Sequence, residues 1–383
     1  MPDADSLDHS EMVVDYLRAR IEVAGGMIGM AEFMQYALYA PGLGYYMAGN
    51  RKFGAGGDFV TAPEISPVFG RTLARQCAPV LSALNGGILE LGAGSGVLAV
   101  TLLKKLAELG TLPASYQILE VSPELCERQL QKIKVEIPDL AAVVTWINAL
   151  PARFRGVIVA NEVLDALPIE RFVRTQDDVL QLCAGYVNGR FIYQTRSAAE
   201  PLRNSVLEIE TQIERKFAEG YTSEVSLGLP GWVSDVLAAL DQGVIFLFDY
   251  GVSRREYYAT ERDQGWLRCH FRHHAHNEPL IYPGIQDITS WVDFSAVAQS
   301  ASLQGADIAG FVTQALFLMN AGLENELAGF DSLSSAAQIE LSQQIKQLTL
   351  PGEMGEHFKC MGLCKGDVPS LDAFSFGDRA HSL

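Results

Sequence analysis

A chain of 383 residues exceeds the common size of one domain, so it reads either as two domains or as one large α/β domain carrying insertions. Hydrophobic residues at 48% and charged residues at 20% are ordinary for a folded globular protein. The formal net charge of −17 argues against a nucleic-acid partner, which needs clustered Lys and Arg; it leaves open a basic protein, peptide or small cation, or a role in solubility alone.

The first residues are acidic and lack the basic and apolar regions of a signal peptide, and the Arg-rich amphipathic character of a mitochondrial presequence, so a cytoplasmic protein is expected. No apolar stretch approaches the ~20 residues of a membrane span, so no membrane insertion is expected. Met12, Val13, Tyr16, Leu17 and Ile21 share one face of a helix over 10–24, with Ser10 as its expected N-cap. A short helix is expected from Met30. Glycine and proline then accumulate over 41–67, the signature of a long, functional loop.

From residue 86 the pattern becomes regular. Strands are expected at 88–91, 116–121, 143–147, 157–160 and 243–249, with helices over 97–109 and 123–137 between the first three. This alternation predicts a doubly wound, mainly parallel sheet. Segments 172–173, 179–186 and 190–194 read as a β-meander with an Asn188-Gly189 hairpin turn. A His-rich loop is expected from 250 to about 287, then a helix over 294–303, a strand over 306–312, helices across 313–347, and an antiparallel strand over 357–363 near the sheet edge. The domain reading is an N-terminal helical and loop extension over 1–84 and a core over 85–366 with insertions at about 170–235 and 252–292. A tail over 367–383 follows.

The most informative segment is Glu90-Leu91-Gly92-Ala93-Gly94-Ser95-Gly96, a strand that ends in E-x-G-x-G-x-G and enters a helix. Glycine is needed where a turn takes positive φ or where backbone must lie against a ligand. A dinucleotide site would want a glycine at Val97, and a P-loop would want a Gly-Lys pair that is absent. A turn packed on the methionyl part of S-adenosylmethionine has neither requirement. Glu90 would then anchor the loop or the cofactor's ammonium group. Glu120, followed by Val121, ends the next strand, where a carboxylate can accept ribose hydroxyls; Ala149 and Leu150 follow the third, where an adenine is lined. The acidic ribose ligand is shared with dinucleotide enzymes, so the glycine spacing decides.

Longer motifs resemble a known family. The run Gly57-Asp58-Phe59-Val60-Thr61-Ala62-Pro63-Glu64-Ile65-Ser66 with Phe69-Gly70 is similar to the signature of MidA-type methyltransferases, bacterial relatives of the mitochondrial complex I assembly-factor methyltransferase. Asn161-Glu162-Val163-Leu164-Asp165-Ala166-Leu167-Pro168 resembles the family's E-x-x-D-x-L-P motif. Gly44-Tyr45-Tyr46, Asp249-Tyr250-Gly251, Pro283-Gly284, Asp287-Ile288-Thr289, Val292-Asp293-Phe294 and Met354-Gly355 with Phe358 extend the match over about residues 25–365.

The resemblance implies a class I methyltransferase (Rossmann-like) fold with S-adenosylmethionine as cofactor. It also implies a partner protein, such as a respiratory complex I subunit, as bearer of the methylated arginine. Methylation of a small molecule or another side chain is the alternative, as is an assembly factor that holds the cofactor structurally. An arginine acceptor is cationic, so carboxylates must hold it and take its proton. Glu162 is the expected guanidinium ligand, assisted by Asp165 and Asn161; helix capping is the competing role. Asp58, Thr61 and Glu64 are expected to close over a cofactor held by Gly92, Ala93, Gly94 and Gly96. Asp249 could face the acceptor or bond local backbone.

Cys77, Cys126, Cys183, Cys269, Cys360 and Cys364 read as reduced thiols, and Cys360 with Cys364 lacks a second pair at zinc spacing. No metal is expected from Cys269, His270, His273, His274 and His276 either, which read as part of an acceptor channel or as solvated. Oligomeric state is not encoded in any motif.

Overall fold

The computed structural model describes residues 2–48, 60–272 and 274–383. Two compact units emerge, each assembled from three stretches of chain: Met1–Phe59, Asp165–Pro230 and Ser253–Asp293 form the first, and Val60–Leu164, Gly231–Val252 and Phe294–Leu383 the second. Residues 60–84 and the C-terminal stretch from 367 therefore fall in the second unit.

The second unit holds the expected doubly wound sheet. Its strand path runs Asp307–Thr313, Phe358–Lys365, Leu240–Val252, Phe154–Asn161, Gly87–Leu91, Tyr116–Leu119, Val144–Ile147. From Leu240–Val252 onward all pairings are parallel. Phe358–Lys365 runs antiparallel to both of its neighbours, one place in from the edge. All of Gly87–Leu91 is buried, and Val244 through Phe248 are at most 1% exposed, which is why these segments read as unbroken apolar runs. Gly87, Gly156 and Gly243 stand opposite one another in adjacent strands. A Cβ on Gly156 would come within 2.1 Å of the Gly87 carbonyl oxygen, so this row tolerates no side chain.

Two expectations are corrected here. The 41–67 stretch is not loop throughout: helices Ala62–Ile65 and Pro67–Leu84 begin inside it. Pro63 and Pro67 occupy first-turn positions, where a missing N–H costs nothing, so they start helices and do not break them. The first helix spans Ala4–Val23, and Asp3, not Ser10, caps it, accepting the Ser6 N–H at 2.9 Å. Ser10 is buried on that helix and its hydroxyl donates to the Pro283 carbonyl at 3.0 Å.

The first unit is built on a five-stranded antiparallel sheet. Val179–Val187 pairs with Met27–Gly29, Glu170–Arg174 and Arg190–Ser197, and Thr222–Val225 lies beyond Glu170–Arg174. The Asn188-Gly189 turn takes φ of +51° and +80°, as a two-residue hairpin requires. The expected His-rich loop contains a small sheet of Arg268–Phe271, His274–His276 and Asp287–Thr289. Its strands are short and mostly polar, so they carry no alternating apolar signal. Among the described residues no helix is long and apolar enough to cross a membrane.

Candidate functional site

The glycine turn follows from backbone geometry. Gly92, Gly94 and Gly96 take φ of +67°, +52° and +79°, a region that costs other residues about 1–2 kcal/mol each. Gly96 leads into helix Val97–Glu108. Gly92 donates its N–H to the Leu119 carbonyl at 3.2 Å, and Glu120 donates its own to the Ile147 carbonyl at 3.1 Å. Gly92, Glu120 and the residues after Ile147 thus stand side by side at the carboxyl edge of three parallel strands, the side on which such sheets take ligands.

That edge presents a graded surface. Gly92, Val121 and Ala149 are exposed, Val121 at 57%, while Leu150 and Glu120 are half-buried and Ala93 is buried. The Glu120 carboxylate accepts the Ser122 N–H at 2.9 Å and the Gln129 amide at 3.2 Å. Exposed apolar groups beside a fixed carboxylate suit a ligand with one flat apolar end and a hydroxylated ring.

Gln129 is the residue that the motifs did not reveal. Fully buried on helix Pro123–Glu136, it donates to the Gly94 carbonyl at 3.0 Å as well as to Glu120, and accepts the Trp146 indole N–H at 2.7 Å. One side chain ties together the glycine turn, the acid of the second strand and the third strand. A Cβ on Gly96 would also touch it, at 3.3 Å. A lone Gln in a polar helix gives no sequence signal; only its spacing on the inward face with Leu125 and Ile133 hints at it.

The remaining cofactor candidates divide. Glu64, on the Ala62–Ile65 helix, accepts a hydrogen bond from the Ser95 hydroxyl of the glycine turn. Thr61 caps that helix and accepts the Glu64 N–H at 2.9 Å. Asp58 lies outside the described residues. Glu90 points into the core: it is 3% exposed and accepts the Tyr116 hydroxyl at 2.6 Å. Burial pushes its carboxyl up to about 7, with the charge of Glu120 adding to the rise and the Tyr116 bond opposing it.

At the end of strand Phe154–Asn161 the backbone is strained. Glu162 takes φ of +52° and is held there by its N–H bond to the Phe248 carbonyl at 2.8 Å. Asn161 donates its amide to Glu162 at 3.1 Å, and its own Oδ1 is buried with no hydrogen-bond partner among the described residues. A Cβ on Gly92 would meet Val163 at 3.3 Å, so the residue after Glu162 lies against the glycine turn. Asp249 is fully buried and accepts the Leu164 and Tyr250 N–H groups, both at 2.9 Å; it secures local backbone. The structure therefore brings Asn161 and Glu162 together. Asp165 belongs to the first unit, buried, with its carbonyl accepting the Ser290 N–H at 2.9 Å.

His270 lies in strand Arg268–Phe271, and His274 and His276 lie in strand His274–His276, while His273 is outside the described residues. Among the described residues no group of three or more His, Cys, Asp or Glu is placed to hold a metal. Cys360 and Cys364 are buried in the core, which raises both thiols.

Comparison with known proteins supplies the wider frame. The family model described as S-adenosyl-L-methionine-dependent methyltransferase matches residues 72–312. The chain is 30% identical over 385 residues to the protein arginine methyltransferase NDUFAF7, mitochondrial, of Danio rerio, covering 91% of this chain and 86% of that one. The Homo sapiens protein of the same name is 28% identical, with 88% and 80% covered. A crystal structure from Burkholderia thailandensis, bound to S-adenosyl-homocysteine, is 40% identical and superposes with a TM-score of 0.94 over 100% of this chain and 99% of that one.

Proposed function

The chain belongs to the S-adenosyl-L-methionine-dependent methyltransferase family, has its class I fold and takes S-adenosylmethionine as cofactor, and from that premise we propose that it methylates an arginine side chain of a partner protein. Support for arginine comes from the names of the relatives and from the carboxylate of Glu162, which follows the fourth parallel strand. The partner we propose is a subunit of respiratory complex I, which the sequence motifs suggest through their resemblance.

The cofactor supplies an electrophilic methyl group on a good leaving group. The residues present fit it: a turn of three positive-φ glycines, an exposed Gly92 with no Cβ in the way, and a carboxylate with exposed apolar neighbours. Gly92, Ala93, Gly94 and Gly96 would hold its methionyl part, with Ser95 and Glu64 fixing the turn. Glu120 would take the ribose hydroxyls, and Val121, Ala149 and Leu150 would line the adenine. Thr61 belongs to the same proposed set through the helix that it caps, and Asp58 through the sequence motif alone.

The observation that carries the acceptor role is the strained backbone of Glu162 beside the glycine turn. Left-handed φ in a non-glycine residue costs about 1–3 kcal/mol and persists only where the surroundings enforce it, here through the bond to the Phe248 carbonyl; such strain gathers at functional sites. Glu162 would pair with the guanidinium, orient one nitrogen, and take that nitrogen's proton as the N–C bond forms. Asn161 would hold the carboxylate through its amide, and Asp165 belongs to the proposed catalytic set through its place in the E-x-x-D-x-L-P motif.

The test is transfer of a tritiated methyl group from labelled S-adenosylmethionine to protein extract from cells lacking this chain, followed by acid hydrolysis and amino-acid analysis. Label should appear as methylarginine, and Glu162→Gln should reduce it by about a hundredfold or more, the usual scale of a lost general base. Affinity for S-adenosylhomocysteine should persist. Label on another amino acid, or full activity of the Gln variant, would overturn the arginine reading or the role of Glu162 respectively.

A further inference from the structure

The antiparallel sheet of the first unit has a long open side. Strand Arg190–Ser197 pairs with Val179–Val187 along its whole length, in one register without a bulge, and among the described residues it pairs with no other strand. The two-residue turn at Asn188-Gly189 makes Val187 and Arg190 a hydrogen-bonded pair. The Ala198 N–H, bonded to the Val179 carbonyl at 3.0 Å, keeps the same alternation at the far end. Arg190, Ile192, Gln194 and Arg196 therefore direct their backbone groups to the neighbouring strand, while Phe191, Tyr193 and Thr195 direct theirs outward.

Unpaired N–H and C=O groups recruit another strand, so long edges are usually blunted by proline, lysine or a bulge. Arg190–Ser197 has none of the three. Its two faces differ. Phe191 and Tyr193 are half-buried against the hydrophobic cluster of this unit, and Phe191 meets Phe33 and Tyr186 edge-on, at 5.5 and 5.0 Å between centroids. The other face carries Arg190 and Arg196 near the two ends of the strand, both exposed. From Val179 to Ala199 there is no acidic residue, although the chain as a whole carries a net charge of −17.

We infer that Arg190–Ser197 is a docking edge for an extended, acidic segment of a partner protein, which adds to the sheet as an antiparallel strand. Main-chain bonds to Phe191, Tyr193 and Thr195 supply affinity, and side chains at alternate positions supply selectivity. Residues directly opposite each other share a face of the sheet. The segment therefore places carboxylates opposite Arg190 and Arg196 and apolar side chains opposite Phe191 and Tyr193. A second copy of this chain fits less well: in the antiparallel pairing centred on Tyr193, Arg190 of one copy faces Arg196 of the other, and like charges directly opposite are destabilising. The edge lies wholly in the first unit and is independent of which side chain the enzyme methylates.

The probe is a fluorescein-labelled peptide, Glu-Val-Thr-Val-Thr-Val-Glu, titrated with the full-length protein and followed by fluorescence anisotropy. It should bind, more weakly as salt rises, and a peptide with lysine in place of both glutamates should bind about tenfold less tightly. Thr195→Pro removes an outward N–H and no bond of the existing ladder, so it should weaken the glutamate peptide about tenfold. The double variant Arg190→Glu, Arg196→Glu should reverse the preference and favour the lysine peptide. Both variants should keep the wild-type affinity for S-adenosylhomocysteine. Should Thr195→Pro fail to fold, N-methylation of the central valine of the peptide blocks the same pairing from the other side and should cost as much. No binding by the wild type, equal binding of the two peptides, or an unchanged preference in the folded charge variant would overturn the docking edge. A concentration-dependent dimer that Thr195→Pro dissolves would overturn the choice of occupant and give the edge to a second copy.

Discussion

Glu90 illustrates how one residue of a motif can serve the fold directly. Its place before the glycine turn marks it in sequence, yet its carboxyl group lies inside the sheet on the Tyr116 hydroxyl, pushed up to about 7 from 4.5 by burial. The sign of the stability effect follows from proton counting. Between about 4.5 and about 7 the folded state holds a proton that the unfolded chain has released, so stability falls as pH rises through that window and is level above it. At about 1.4 kcal/mol for each pH unit, the loss is on the order of 3 kcal/mol. Glu90→Gln keeps the shape and removes the titration. Urea unfolding of the cofactor-free protein at pH 5 and pH 8 should show this loss in the wild type, and the difference between the two proteins should vanish at the lower pH. Equal pH dependence in both would mean that Glu90 does not carry the effect.

At the scale of elements, the Pro123–Glu136 helix acts on the glycine turn through Gln129. Replacing Gln129 by Ala removes three hydrogen bonds and leaves the Trp146 indole N–H and the Gly94 carbonyl without this partner. At about 1–3 kcal/mol for each of these two half-buried groups, the folded protein should lose about 2–6 kcal/mol. The turn also loses its tether, so affinity for S-adenosylhomocysteine should fall at least tenfold by calorimetry; unchanged affinity would show that the turn holds itself. The helix itself was legible in the sequence, as were the parallel strands, because both obey local periodicity. What stayed illegible had contrary local signals. Helix Leu229–Ala239 opens Leu229-Pro230-Gly231, which reads as a turn, and helix Pro67–Leu84 contains Pro79. The glycine turn, Glu120 and the strained Glu162 were visible as motifs, whereas Gln129 required knowing which face of its helix turns inward.

The largest gap between sequence and structure lies at the scale of the whole chain. The sequence leads one to expect an N-terminal extension and two insertions, and carries no local signal that stretches of all three make one unit. Met27–Gly29 pairs with Val179–Val187, with Met27 opposite Gly185, and no local pattern announces a partner so far along the chain. The hydrophobic cluster makes the same point. Leu17, Ile28, Phe33 and Met34 from the first stretch pack with Ile169 and Ala184 from the second and Cys269 and Ile288 from the third. Neither insertion has this core without the N-terminal stretch. Removing residues 2–48 would strip the apolar side chains of that stretch and leave Gly185, Ala184 and Cys183 without the strand they pair with. An unpaired edge beside exposed apolar surface favours association. The shortened protein should therefore show fast amide hydrogen exchange across Asp165–Pro230 and Ser253–Asp293 and a rise in aggregated material on size-exclusion chromatography. Protection in those two stretches equal to that of the full chain would show that the insertions fold by themselves, and that the N-terminal stretch only covers them.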